Sequence, residues 1–158
     1  MQTVVSDTSP IIILAKTNRL NLLRNVFEQV IIPREVYSEI VKKEDIVSQL
    51  LNNVDYFRVL SVDYDETMLN LLSILDKGEA EAIYLAKKFE IPIIIDEKKG
   101  RNIAFNYNLK VIGFLGVLFL NYKKGFIGKD DITQIIEQAD ASGYRLSIKL
   151  KEEFLRTL

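Results

Sequence analysis

The chain has 158 residues, 21 Lys and Arg against 22 Asp and Glu for a net charge of −1, and no His, Cys or Trp. Those absences exclude Ser-His-Asp and Cys-His nucleophiles, zinc sites built on His and Cys, His-ligated haem and disulfides. Catalysis must then come from carboxylates, hydroxyls, Lys, Arg or Tyr, and a metal must be a hard cation held by oxygen.

The opening MQTVVSDTSP lacks the basic n-region of a signal peptide, which predicts a cytoplasmic protein. Val4 and Val5 read as a short buried strand ended by Ser6-Asp7-Thr8-Ser9-Pro10, with Thr8 or Ser9 capping a helix that opens at Pro10. Residues 11–27 are helical in two pieces parted near Asn18, residues 29–32 form the next strand, and Pro33 opens a helix through Lys43. A short helix over residues 44–53 and a strand over residues 56–62 follow. Met68, Leu71, Leu72 and Leu75 recur at helical spacing. Asp76-Lys77-Gly78 breaks that helix, and residues 79–89 form a strong one.

Residues 91–95, nearly all Ile, are the clearest buried strand. A helix over residues 98–106, a strand over 110–112 and a helix over 115–123 come next. Asp130 caps a helix to about Ala141, and Ser147 caps a last one carrying Phe154 and Leu155. The longest uncharged apolar run, residues 111–120, is about half a membrane span, so no membrane association is expected. Alternating helices and continuous apolar strands predict a three-layer α/β/α sandwich around a mainly parallel sheet. The chain reads as one domain over residues 1–158, with the helices from about residue 115 onward packed on it.

Functional groups of open parallel sheets sit beyond the carboxyl ends of the strands. Two strands here end in acids: Val4-Val5-Ser6 runs into Asp7, and Ile93-Ile94-Ile95 into Asp96-Glu97. Asp7 alone is as well explained as a helix cap, but two acids at one sheet edge repel unless a cation or proton sits between them. Glu79 shares a helix face with Ile83 and Ala86, which should pack on the sheet, whereas Glu81, with Tyr84 and Lys88, reads as surface. Glu39 follows Val36 at i+3 but precedes Lys43 at i+4, so spacing favours a surface ion pair. Lys98, Lys99 and Arg101 add cations at the same rim, either as a solvated loop or as contacts for a phosphodiester backbone. Tyr107 and Tyr122 could stack on bases, although their spacing suits core positions.

These residues resemble the motifs of PIN-domain nucleases, particularly the small VapC-like toxin ribonucleases. The likeness spans nearly the whole chain: VVSDTSPIIILAK, IPREVYSEI, DKGEAEAIYLAKK and IIIDEKKGRNIA stand in family order at family spacing. The tail GFLGVLFLNYKKGFI followed by SGYRLS resembles one subgroup of uncharacterised PIN proteins. The resemblance implies that Asp7, Glu39, Glu79 and Asp96 are catalytic acids that bind metal, which reverses the surface assignment of Glu39. Glu97 stands where the family often has a second Asp; its longer side chain argues against a direct ligand role, and the fourth motif leaves open which of Asp96 and Glu97 leads. Thr8 and Ser9 match the polar positions after the first acid. The implied activity is hydrolysis of single-stranded RNA with Mg²⁺ or Mn²⁺, by a homodimer and in toxin systems under an antitoxin partner. The rival is a non-catalytic PIN-fold module for interaction or RNA binding. An aspartyl phosphatase is disfavoured by Ser9 where a second Asp is expected, and an NTPase by the lack of a phosphate loop.

Overall fold

In the computed structural model, which describes residues 2–158, the apolar strands alternate their side chains between two cores. Val4, Val30, Ile32 and Ile94 point to one face of the sheet. Val5, Ile31, Ile93 and Ile95 point to the other. A strand with apolar side chains on both faces needs helices above and below, which is the three-layer arrangement expected. The strands are β1 (Gln2–Ser6), β2 (Phe27–Pro33), β3 (Phe57–Leu60), β4 (Ile93–Ile94) and β5 (Val111–Ile112). All neighbouring pairs run parallel, in the order β3-β2-β1-β4-β5.

The helices are α1 (Thr8–Lys16), α2 (Asn21–Val26), α3 (Arg34–Lys43), α4 (Asp45–Asn52), α5 (Glu66–Leu72), α6 (Lys77–Phe89), α7 (Lys98–Asn106), α8 (Phe114–Lys123), α9 (Lys129–Ala141) and α10 (Ile148–Arg156). The expected break is at Asn18, which takes the left-handed conformation at φ 58° that Asn tolerates. Phe27 belongs to β2 rather than to the helix before it, because pairing with Gln2 of β1 extends the strand. Two expected caps are displaced by one or two residues. Asp7, not Thr8 or Ser9, occupies the position before α1, and Pro10 lies inside the first turn. Gly128, not Asp130, precedes α9, and Asp131 reaches back to accept its N–H at 2.8 Å.

The last third of the chain shares the first core. Phe114, Val117, Leu118, Ile132 and Ile135 are buried with Val4 and Leu14. Asn121 on α8 is fully buried and bridges to α2, donating to the Leu22 carbonyl at 3.0 Å and accepting from Asn25 at 3.0 Å. Helix α10 buries no residue completely and docks through half-buried Phe154. Among the described residues, no helix is long and apolar enough to cross a membrane.

Glu81 corrects the surface assignment: it is only 5% exposed. Helix α6 is enclosed by α3 as well as by the sheet, so its second face is not free. The Glu81 carboxylate accepts the Glu35 N–H, in the first turn of α3, at 3.1 Å, and also the Tyr64 hydroxyl. It thereby spends the open amide of one helix to lock that helix against another. Glu81→Ala should cost about 1–3 kcal/mol in urea unfolding, because two donors lose their acceptor. Glu81→Gln should recover most of that; wild-type stability in the Ala variant would refute the lock.

Candidate active site

The sheet order places β1 beside β4, and from this pair the chain winds outward in opposite directions, to β2 and β3 on one side and β5 on the other. Such a reversal opens a crevice at the carboxyl ends of the two strands, where parallel sheets bind their ligands. Asp7 directly follows β1 and Asp96 lies two residues beyond β4. Asp7 is 8% exposed and, although it stands at the cap position of α1, its side chain makes no capping bond. Thr8, the first residue of α1, donates through its hydroxyl to Glu39 on α3 at 3.2 Å. Glu39 also meets Lys43 at 3.7 Å, so the surface ion pair and a place in the acidic crevice hold together. Ser9 is exposed at the rim.

Glu79 enters from α6 on the face shared with Ile83 and Ala86, as its spacing predicts, and is 9% exposed. Its Oε2 is buried and has no hydrogen-bond donor. Asp76, read from sequence only as a helix breaker, caps α6 by accepting the Glu79 N–H at 2.9 Å and joins the cluster as a further acid. The signal was present as an Asp three residues before the Glu, the spacing of a cap. Asp96 turns inward: Oδ1 accepts the Phe114 N–H at 2.9 Å and Oδ2 accepts the Tyr144 hydroxyl. Glu97 is exposed and caps α7 through the Gly100 N–H at 2.7 Å. Lys98, Lys99 and Arg101 are exposed on the start of α7. Tyr107 and Tyr122 are half-buried and pack against the two cores, the placement that their spacing suits.

Three acids each abut a glycine. A Cβ on Gly78 would stand 2.4 Å from Glu39 Oε1, one on Gly100 2.8 Å from Glu79 Oε2, and one on Gly113 2.9 Å from Asp96 Oδ1. These carboxylates occupy space that any side chain would fill.

A family model for PIN domains (DUF3368) matches residues 3–158. The chain belongs to the PIN-domain family. Its fold is similar to that of a PilT N-terminus domain protein from the hyperthermophilic archaeon Sulfolobus solfataricus, with a TM-score of 0.52 and 17% identity over 75% of this chain and 91% of the other. No curated protein matches it by sequence.

In this PIN domain the acids are held against their electrostatic preference. Burial, opposed by the Thr8 amide and reinforced by the charges of Asp76, Glu39 and Asp96, raises Asp7 to about 7. Burial also raises Glu79 to about 9, helped by hydrogen bonds with Asp76 and Glu97 that favour its neutral form. The donorless Oε2 is thus relieved when Glu79 holds a proton shared with those neighbours. Burial raises Asp96 as well, against the Tyr144 hydroxyl, the Phe114 amide and Arg101. The Gly100 amide holds Glu97 below the usual range. Burial, then the adjacent Asp96 charge, keeps Tyr144 protonated as a donor. Among the described residues, no three acids stand in a ready metal-holding group. Glu39, Asp96 and Glu97 each accept from a donor, whereas Glu79 Oε2 has none and Asp7 has only the Thr8 amide, so burial favours the protonated form of both.

A carboxyl whose pKa is raised on folding binds its proton more tightly in the native state. Its contribution to stability is therefore full below the ordinary carboxylate range and is lost as pH climbs through the folded value. For Asp7 and Glu79 that loss extends through about 7 and about 9 respectively. The thermal midpoint in EDTA should fall from about pH 5 to about pH 9, and Asp7→Asn should flatten the part of the fall near neutrality. A midpoint that climbs over this range, with no difference between the two proteins, would contradict the burial of these charges.

Proposed function

We propose that this PIN domain is a divalent-cation-dependent nuclease that hydrolyses phosphodiester bonds in single-stranded RNA. The observation that carries it is the pair of buried, strongly raised carboxyls at the switch point, Asp7 and Glu79, one of them with an oxygen that no donor satisfies. A buried charge without a partner costs several kcal/mol or more, so the crevice favours either protons or a cation. All donors are oxygens, which suits Mg²⁺ or Mn²⁺. Mg²⁺ keeps several waters and needs only one or two carboxylates beside substrate phosphate.

Asp7 and Glu79 would hold the ion, with Glu39 and Asp96 as further acids at the same crevice. When bound, such an ion polarises the scissile phosphate and acidifies a water. The residues do the rest. Thr8 fixes Glu39, Asp76 and Glu97 anchor the first turns of α6 and α7, and the exposed Lys98, Lys99 and Arg101 attract the phosphodiester backbone. With no His in the chain, protons pass between carboxylates and water. An unpaired strand is the substrate proposed because its unstacked nucleotides can follow a groove to the acids. Pairing with an antitoxin belongs to the same proposal; its test is whether a neighbouring reading frame encodes a small DNA-binding protein that co-purifies and inhibits.

Labelled single-stranded RNA incubated with protein and Mn²⁺ should be cleaved, and EDTA should abolish cleavage. Partners that merely orient ligands are worth about 10–100-fold, so Asp7→Asn and Glu79→Gln should each exceed about 100-fold. Cleavage that survives both EDTA and Asp7→Asn overturns the assignment. No cleavage of varied RNAs, with no Mn²⁺ binding by calorimetry, transfers the case to a non-catalytic module. Gly78→Ala offers a separate check, since its methyl would push Glu39 Oε1 by about 1 Å. A displacement of that size can cost about 100-fold in rate. The thermal midpoint should hold or rise, because Ala is the better helix former and the displaced atom ends a flexible side chain.

A further inference from the structure

The two donors on Asp96 come from different parts of the chain. Phe114 supplies a backbone N–H from the first residue of α8, and Tyr144 a side-chain hydroxyl from the connection between α9 and α10. That connection is itself built: Gly143 turns the chain at φ 90°, and the Tyr144 N–H returns to the Ala139 carbonyl at 2.9 Å. The rings of Phe114 and Tyr144 meet edge-on, with centroids 5.1 Å apart. Ring packing thus holds the tyrosine in place, while the hydroxyl goes to the acid. A carboxylate has about four lone-pair sites, so one donor on each oxygen fixes its orientation and leaves capacity for a further partner. Glu79 and Asp7 have no comparable pair of donors.

We propose that Tyr144 is a positioning residue: its hydroxyl, with the Phe114 amide, sets the carboxylate of Asp96 in the orientation in which it completes the cation site. The proposal rests on the nuclease reading above and extends it to the C-terminal segment, which contributes none of the acids. Hydrogen-bond partners of ligating carboxylates are typically worth about 10–100-fold in metal affinity.

The test is Mn²⁺ titrated by calorimetry into the full chain as wild type, Tyr144→Phe, Tyr144→Leu, Asp96→Ala and the Tyr144→Phe/Asp96→Ala double variant. Tyr144→Phe keeps the ring against Phe114 and should weaken Mn²⁺ binding about 10–100-fold. Tyr144→Leu, which also removes the ring, should lower the thermal midpoint further yet weaken binding no more than Phe does. In the Asp96→Ala background, Tyr144→Phe should change Mn²⁺ affinity little, because residues acting through one another do not add. Wild-type affinity in Tyr144→Phe, or an equal loss with and without Asp96, would overturn the positioning role and leave the nuclease reading standing. A wild type that binds no Mn²⁺ would overturn both.

Discussion

Carboxylates gathered at one end of a parallel sheet repel one another, and much of the local architecture manages that repulsion. The sheet order places two of them there, since the strands that part at the switch point are the ones that run into Asp7 and Asp96. Each acid is accommodated differently. Glu97 is placed on a helix amide, Asp96 between an amide and a phenol, and Glu39 between a threonine and a lysine. Asp7 has only the Thr8 amide and Glu79 Oε2 has no donor, and burial raises the two to about 7 and about 9. The site therefore divides into acids oriented by donors, which keep lone pairs for a further partner, and acids whose burial is left for a proton or a cation to balance.

The sheet was legible because its strands are short, apolar on both faces and punctuated by acids and Pro, so periodicity and sheet-edge rules sufficed. Glu79 was legible for the same reason: its spacing to Ile83 and Ala86 puts it on the packed face. Where reading failed, the missing information was tertiary. Glu81 has the spacing of a surface residue, and only the approach of α3 and Tyr64 buries it. Glu39 has the spacing of a surface ion pair and keeps that pair, so local pattern was correct but incomplete; the Thr8 contact spans 31 residues of sequence. Family resemblance, not periodicity, assigned it to the site. Asp76 was hidden in plain view, because a helix cap and a member of an acidic cluster look the same in sequence. Tyr144 stands 48 residues from Asp96, in a turn that no periodic signal marks.

Helix caps carry a second duty here. Asp76 and Glu97 satisfy the open amides of α6 and α7 while standing beside the acids. Capping therefore fixes the first turns of those helices and with them the approach of Glu79. Helices α3 and α6, which bring Glu39 and Glu79 into the crevice, are also joined to each other by Glu81. Stability and site geometry are consequently carried by the same few polar contacts.

The three glycines against the carboxylates give the site a complement in the sequence. Gly78, Gly100 and Gly113 record, by lacking a side chain, where Glu39, Glu79 and Asp96 come to rest. A methyl gained at one of them intrudes on an acid as directly as the loss of that acid would empty its place. Chains sharing this chemistry are better recognised by an imprint of acids paired with voids than by acids alone, since a turn, a cap or a surface pair can mimic an isolated acid.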